Sequence, residues 1–433
     1  MSQFKHLIVL SFLVLCFSFA GCERYDEIDS PFINSYIKTA TISVDEALSN
    51  LDFFLSSNDN IDSKASYSYD ISSVACIGRK DMVSCKSQDN SIPDSLYYLV
   101  NFNGGNGFAI LSATNLIDTP VIAITESGSL NPQVIIDALS HDSSLKNVAD
   151  CSGFICSSDA DKFIASLIVS SSLRNLGKIS AESIVGVKSG VPTPEQYGPH
   201  VLTKWDQVNP FNSLCTPHPC GCCTIATGQI VVANKVSNSM VFDGYTCNWT
   251  DLESVFHYTT PSYPGNSYAQ TQASHFAKML RSSDYLNISG SSGSSISVKR
   301  AFKAFGYGNV KRYWGIGGTN ARTAIRTCLQ NGLPVYVDGM DSDLTQVGHC
   351  WVLDGYKTIV VNAGNNRYVV HPFYHVNWGW NGCYDGYYAL GCFDVSERFS
   401  IDPVIDNLTS SFTDSSLESA NYTWDIWAVT YSL

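Results

Sequence analysis

Charged side chains are scarce in this sequence: 15% of its 433 residues, with 26 Lys and Arg against 39 Asp and Glu. The formal charge of −13 includes no basic block, which argues against nucleic acid as a partner. No internal repeat is present. The apolar run from Leu7 to Phe19 is too short and wrongly flanked for a stable membrane span. Between residues 23 and 190 no His/Asp/Ser grouping stands out, and His141 reads as a surface residue in a polar helical stretch. Apolar residues are plentiful. At 44% hydrophobic, the chain is globular, and its length allows two or three domains with sizeable cores.

The N-terminus reads as an export signal over residues 1–21. Lys5 and His6 precede the apolar run, and Ala20-Gly-Cys22 closes it. Small residues directly before a cysteine resemble a bacterial lipoprotein signal, with Cys22 as the lipidated first residue, although Phe19 stands where an aliphatic residue is usual. Acyl chains on Cys22 would be the chain's one contact with a membrane, placing it at the outer membrane or cell surface. Glu23, Asp26, Glu27 and Asp29 would form a solvated tether. Removing Cys16 with the signal and lipidating Cys22 leaves an odd number of the 15 cysteines, so at least one is free or pairs between molecules. Cys76/Cys85 and Cys151/Cys156 are close local pairs, but sequence does not assign the pairing.

A helix is expected over 43–55, then strands over 95–102, 108–113 and 120–124. The glycine-rich 103–107 makes a hairpin turn between the first two. Residues 131–185 look mostly helical. The stretch 188–199 holds three prolines and interrupts all regular structure, which puts a domain boundary near 190. Residues 22–190 are then a smaller α+β domain and 191–433 a second one. In the second, helices are expected over 222–235, 269–281 and 296–304. Strands follow over 334–338, 349–354, 357–361, 368–371, 374–377, 387–390 and 426–430. Helices first and antiparallel strands second give α+β.

Four separated stretches of the second domain carry chemistry. In Pro219-Cys-Gly-Cys-Cys-Thr-Ile-Ala-Thr-Gly-Gln-Ile230 a loop turns into a helix near Cys222, which places a thiol beside unpaired backbone N–H groups and the positive end of the helix dipole. Both favour the nucleophilic thiolate. Val347-Gly-His-Cys-Trp-Val-Leu-Asp354 offers His349 on a strand as a base. In His375-Val-Asn-Trp-Gly-Trp380, Asn377 can orient such a histidine through its side-chain amide, and the tryptophans can shield that bond from water. Gln207, in Trp205-Asp-Gln-Val-Asn-Pro-Phe-Asn212, can donate to an oxyanion together with the Cys222 N–H.

Together these segments resemble the streptopain-like cysteine peptidases, a bacterial branch with a papain-like fold. The register of Gly221-Cys222 against Gln229-Ile230 selects Cys222 over Cys223 as nucleophile. The resemblance implies roles for His349 as base, Asn377 as its orienting group and Gln207 in the oxyanion hole. Ser291, in the loop Ser289-Gly-Ser-Ser-Gly-Ser-Ser295, together with Gly348 and Trp378, would contact substrate. The first domain is similar to the family's inhibitory propeptide through Tyr98-Leu-Val-Asn-Phe102 and Gly107-Phe-Ala-Ile-Leu-Ser112. The implied protein is an exported cysteine endopeptidase made as a zymogen. Protein or peptide substrates and its own propeptide are its partners, and it needs no cofactor or metal. Two features depart from the family: Cys223 replaces a small aliphatic residue, and a hairpin at 362–366 lengthens the segment between His349 and His375. A zinc site on His218, Cys220, Cys222 and Cys223 is a weak rival, because the usual Cys-x₂-Cys spacing is missing. A catalytically inactive surface binding or inhibitor protein on the same fold is the main alternative, and it predicts loss of a catalytic group.

Overall fold

The computed structural model describes residues 41–56, 69–78, 81, 94–139, 160–161, 163–165, 167–169, 184–186, 191–215, 219–235, 240–242, 244–289, 293–340, 348–364, 367–393 and 424–433. The chain divides into a unit over Met1–Lys38, outside the described residues, and a unit over Thr39–Leu433. The export signal, Cys22, Cys85, His141, Cys151, Cys156, His218 and Ser291 also lie outside the described residues.

The N-terminal half supplies helix α1 (Val44–Ser56), strands β1 (Ile71–Ile77), β2 (Tyr97–Phe102), β3 (Phe108–Ser112) and β4 (Val121–Thr125), helix α2 (Pro132–Leu139) and strand β5 (Ile184–Gly186). Then come β6 (Gln196–Tyr197), α3 (Cys222–Asn234), β7 (Met240–Phe242), β8 (Tyr245–Cys247), α4 (Trp249–Ser254), α5 (Ser267–Arg281), α6 (Ser295–Ala304), β9 (Gly308–Trp314) and α7 (Thr319–Gln330). The closing strands are β10 (Val335–Met340), β11 (Gly348–Gly364), β12 (Arg367–Asn377), β13 (Gly386–Ala389) and β14 (Trp424–Ser432). The architecture is α+β, as expected.

One sheet joins the two halves. Its order is β1-β2-β3-β4-β13-β12-β11-β10-β14-β9, with β5 also pairing β12 and β6 also pairing β11. The join is antiparallel, Ala123 to Thr125 of β4 running against Gly386 to Tyr388 of β13. Sequence alternation in 95–102 suggests one solvated face, yet all of Tyr97–Phe102 is buried. Helix α1 packs on this part of the sheet through Ala47, Leu51 and Phe54, so neither face meets water.

The linker is also less irregular than its prolines suggest. Gln196 and Tyr197 pair with Lys357 and Tyr356. The segments 349–354 and 357–361, expected as two strands, are one strand with a register shift between Leu353 and Gly355. Gly355 is required there because a Cβ would sit 2.8 Å from the His375 Cβ. The glycine therefore marks a bulge, not a chain break. The added hairpin is present as strand pairing out to Gly364 and Arg367. Cys76, one of the close local pairs whose pairing the sequence left open, is a free thiol. Its thiol donates to Ser95 Oγ at 3.2 Å.

Helix α3 is the core of the C-terminal half. Every residue from Cys223 to Val232 is buried, the pattern of a helix enclosed on all sides. Trp205, Phe211, Phe276 and Leu280 pack in the same cluster. Each fully buried Ile or Val contributes about 1.5–3 kcal/mol, so α3 is held rigidly from its first turn onward.

Candidate active site

Gly221 sits at the N-cap of α3 with φ 90° and ψ 141°, a conformation that glycine adopts without strain. No side chain caps this end. The loop before it is tied down at several points. The Cys220 N–H donates to the Gln207 carbonyl at 3.0 Å. The Cys220 carbonyl accepts from Thr224 Oγ1 at 2.7 Å and from Arg281 Nη1 at 2.5 Å. These bonds bring the Gln207 segment alongside the helix start, where the expected oxyanion pair would need it. Gln207 itself is buried.

Successive helical residues point about 100° apart. Cys222 is half-buried, whereas Cys223 is fully buried and faces Gly293 and Tyr336. Cys350 and His349 are the groups that act on the Cys222 thiol. Its pKa is held well below the usual thiol range, first by Cys350 and then by His349 and its charge, against the opposing effect of burial. Thiolate is therefore the favoured form.

His349 is fully buried on β11. Its Nε2 lies 2.9 Å from the Trp378 carbonyl. A carbonyl only accepts, so Nε2 carries the proton and Nδ1 is the nitrogen left for the thiol. Trp380 stacks on the imidazole at 4.8 Å, with Trp351 at 6.2 Å and Trp378 at 6.3 Å on centroid distances. These rings exclude water from the imidazole.

The orienting group differs from the expectation. Asn377 does not hold His349 through its side chain. Its Oδ1 accepts from Gln229 Nε2 at 2.9 Å and from the Gly379 N–H at 3.1 Å, and its Nδ2 donates to the Thr203 carbonyl at 2.9 Å. Asn377 thus shapes the turn that aims the Trp378 carbonyl at His349. The physical reason is register: Val352 pairs with Asn377, three residues along β11 from His349, so the carbonyl beyond the strand end meets the ring. Gln229 is the hub behind this turn. Its Oε1 also accepts from Thr203 Oγ1 at 3.0 Å and from the Trp205 N–H at 3.1 Å, linking α3, the turn and the Gln207 segment.

Trp378, expected at the substrate, is fully buried and packs edge-on against Phe163 at 5.3 Å and Tyr388 at 5.5 Å. In this structure it shields the base and is closed to substrate. Gly348 opens β11 beside His349 and is half-buried, a position open to a substrate backbone. Sequence reasoning missed Cys350, Tyr336 and Gln229 as neighbours of the site, although Cys350 directly follows His349. Among the described residues no group of three or more His, Cys, Asp or Glu is placed to hold a metal.

A second buried cluster lies where the halves meet. His375 Nδ1 is 2.6 Å from Asp354 Oδ1, and its Nε2 is 3.1 Å from Glu126 Oε1. Lys204 Nζ donates to Glu126 Oε2 at 3.3 Å. Burial pulls the His375 pKa down, but the Asp354 and Glu126 carboxylates overcome it and raise it to about 10.

A thiol at a helix start, a strand histidine beside it and a tryptophan-lined turn behind the histidine thus lie together at one site. Residues 205–388 match the model of the Peptidase C10 family. Streptopain of Streptococcus pyogenes serotype M1 is 30% identical over 202 residues, 41% of this chain and 46% of that protein. The thiol protease/hemagglutinin PrtT of Porphyromonas gingivalis is 28% identical over 214 residues, 43% of this chain and 23% of that protein. Among solved structures, the active wild-type interpain A cysteine protease of Prevotella intermedia aligns at 18% identity and TM-score 0.37, covering 54% of this chain and 94% of that one. The chain spans less than half the length of these two curated relatives. The matched segment, residues 205–388, is thus similar to that of streptopain-like cysteine peptidases.

Proposed function

We propose that this chain is an exported cysteine endopeptidase made as a zymogen, with Cys222 and His349 as its nucleophile and base. The observation that carries the reading is the half-buried Cys222 thiol, beside His349 at the start of α3 and biased toward thiolate. The thiolate attacks the scissile carbonyl carbon. The oxyanion that forms accepts hydrogen bonds from the Cys222 N–H and the Gln207 side chain. The His349 imidazolium gives its proton to the leaving amine, leaving an acyl-enzyme. The neutral imidazole then takes a proton from water, which hydrolyses the thioester. The Trp378 carbonyl keeps the histidine in the tautomer this exchange needs. Ser291 and Gly348 are proposed to bind the substrate backbone.

Residues 22–190 are proposed as the inhibitory propeptide. Contacts across the join support this. Phe163 packs on both Trp378 and Trp380, the rings behind His349. Lys357 Nζ donates to the Phe54 carbonyl at 2.5 Å, at the C-terminal end of α1. Glu126 bridges His375 and Lys204. Lipid on Cys22 would anchor only this half, so cleavage within 186–204 would release the peptidase.

The decisive experiment compares Cys222→Ala with Cys223→Ala in the full-length protein. Cys222→Ala should be inert toward peptides and should not self-process, while Cys223→Ala should still cleave. Adding a trace of active enzyme should cut the inert protein within 186–204. If Cys222→Ala cleaves peptides and Cys223→Ala does not, the nucleophile is wrong. If full-length protein is fully active before any cut, the zymogen reading fails.

A further inference from the structure

Three thiols converge at the first turn of α3, and the peptidase reaction uses one of them. Cys222 is half-buried, while Cys223 and Cys350 are buried. Cys222 and Cys223 are the groups that act most strongly on the Cys350 thiol, which places the three side by side. Tyr336 Oη donates to Cys350 Sγ at 3.0 Å and lies 3.5 Å from Cys223 Sγ.

The two candidate partners of Cys222 differ in geometry. Cys223 follows it on the same helix and is turned into the core, where a Cβ on Gly293 would lie 2.5 Å from its sulfur. A bond between adjacent helical cysteines would also force the intervening peptide out of helical geometry. Cys350 comes from a different element, β11, with its thiol beside that of Cys222.

We propose that Cys222 and Cys350 form a reversible redox pair that switches the peptidase off under hydroperoxide and protects its nucleophile from over-oxidation. This rests on Cys222 being the peptidase nucleophile. In the first step the Cys222 sulfur attacks one peroxide oxygen. The S–O bond forms, the O–O bond breaks, and the departing oxygen takes a proton and leaves as water. Cys222 is then a sulfenic acid. In the second step the Cys350 thiol gives up its proton, and its sulfur attacks the Cys222 sulfur. The S–S bond forms, the S–O bond breaks, and the hydroxide leaves with that proton as water. Two thiols lose two electrons in all, and one peroxide gains them. A dithiol reductant reverses the bond by exchange.

The order of events follows from the environments. The accessible thiolate reacts first, because susceptibility follows thiolate character and exposure. Cys350 stays protonated: Cys222 and Cys223 beside it, together with burial, push its pKa well above the usual thiol range. It therefore waits as the resolving thiol.

The test uses reduced full-length protein treated with hydrogen peroxide, blocked with iodoacetamide and mapped without reduction by mass spectrometry. Peptide cleavage is assayed before treatment, after it, and after dithiothreitol. A Cys222–Cys350 linked peptide is expected, with cleavage lost on treatment and recovered on reduction. In Cys350→Val the loss should persist after dithiothreitol, Cys222 should reach the sulfinic acid, and no link should form. Each variant is compared with its own untreated activity. A Cys222–Cys223 link, or sulfinic Cys222 without any link in the unaltered protein, would overturn the proposal. Equal recovery in Cys350→Val would overturn it too. If that variant does not fold, the map of the unaltered protein decides alone. A Cys222–Cys350 link in a protein that never cleaves peptides would instead sink the peptidase reading and leave the redox pair standing.

Discussion

Two histidines of adjacent strands, His349 and His375, are both buried, yet their surroundings assign them opposite roles. His349 has one ring nitrogen on a neutral carbonyl and the other beside a thiol, among tryptophans. His375 has a carboxylate on each nitrogen. A proton on His349 has somewhere to go, so it can be passed on. A proton on His375 is gripped from both sides, so the ring acts as a fixed cation that binds Glu126 of the N-terminal half to the peptidase half. Burial alone does not make a histidine a base; the charge of its partners decides it.

The sharpest way to break this contrast is to remove each ring. His349→Ala should cut kcat by about 10⁴–10⁶-fold, the loss usual for a member of a catalytic unit. Its Cys222 should also alkylate more slowly at neutral pH. His375→Leu should act on stability, because it leaves Asp354 buried without its partner, a loss of about 3–5 kcal/mol in urea unfolding. If His375→Leu were as stable as the parent but inactive, the assigned roles would have to be exchanged.

Gln207→Ala should lower kcat by about 10²–10³-fold with little change in the melting curve. An unchanged kcat would remove Gln207 from the oxyanion site. Asn377→Ala tests the indirect hold on His349. It strands the Gly379 N–H and part of Gln229, at about 1–3 kcal/mol of stability. Its activity should fall far less than that of His349→Ala; an equal loss would restore a direct role for the amide.

The contrast also predicts an effect of pH. The folded His375 pKa is about 10, above the value of about 6.5 expected in an unfolded chain. Its contribution to stability is therefore complete below about pH 6.5 and is lost as pH rises through about 10. Unfolding free energy should decline over that alkaline window, and His375→Leu should flatten the decline. A parent curve that stays flat to pH 10 would contradict the clamp.

How much of this was legible in the chain depends on the kind of group involved. Cys222 was legible because a Pro-rich loop running into an apolar helix fixes a local direction. His349 was legible as a histidine opening an apolar strand. The Trp378 carbonyl was not, because every residue has one and only register says which one meets a ring. The burial of Trp378 was not legible for a related reason: it packs against Phe163, far away in sequence. Gln229 lay inside the quoted nucleophile stretch, but nothing local says that a buried amide binds a turn from another strand.

The sequence by itself determined the α+β class, the helix that Cys222 opens and the choice of Cys222, His349 and Gln207 as candidates. These follow from periodicity, turn chemistry and residue type, which act over a few residues. Tertiary structure decided what holds His349, that Cys350 lies against Cys222, and that β4 and β13 join the two halves into one sheet. Those contacts form between segments far apart in the chain, where strand register and packing choose among many partners of equal local merit.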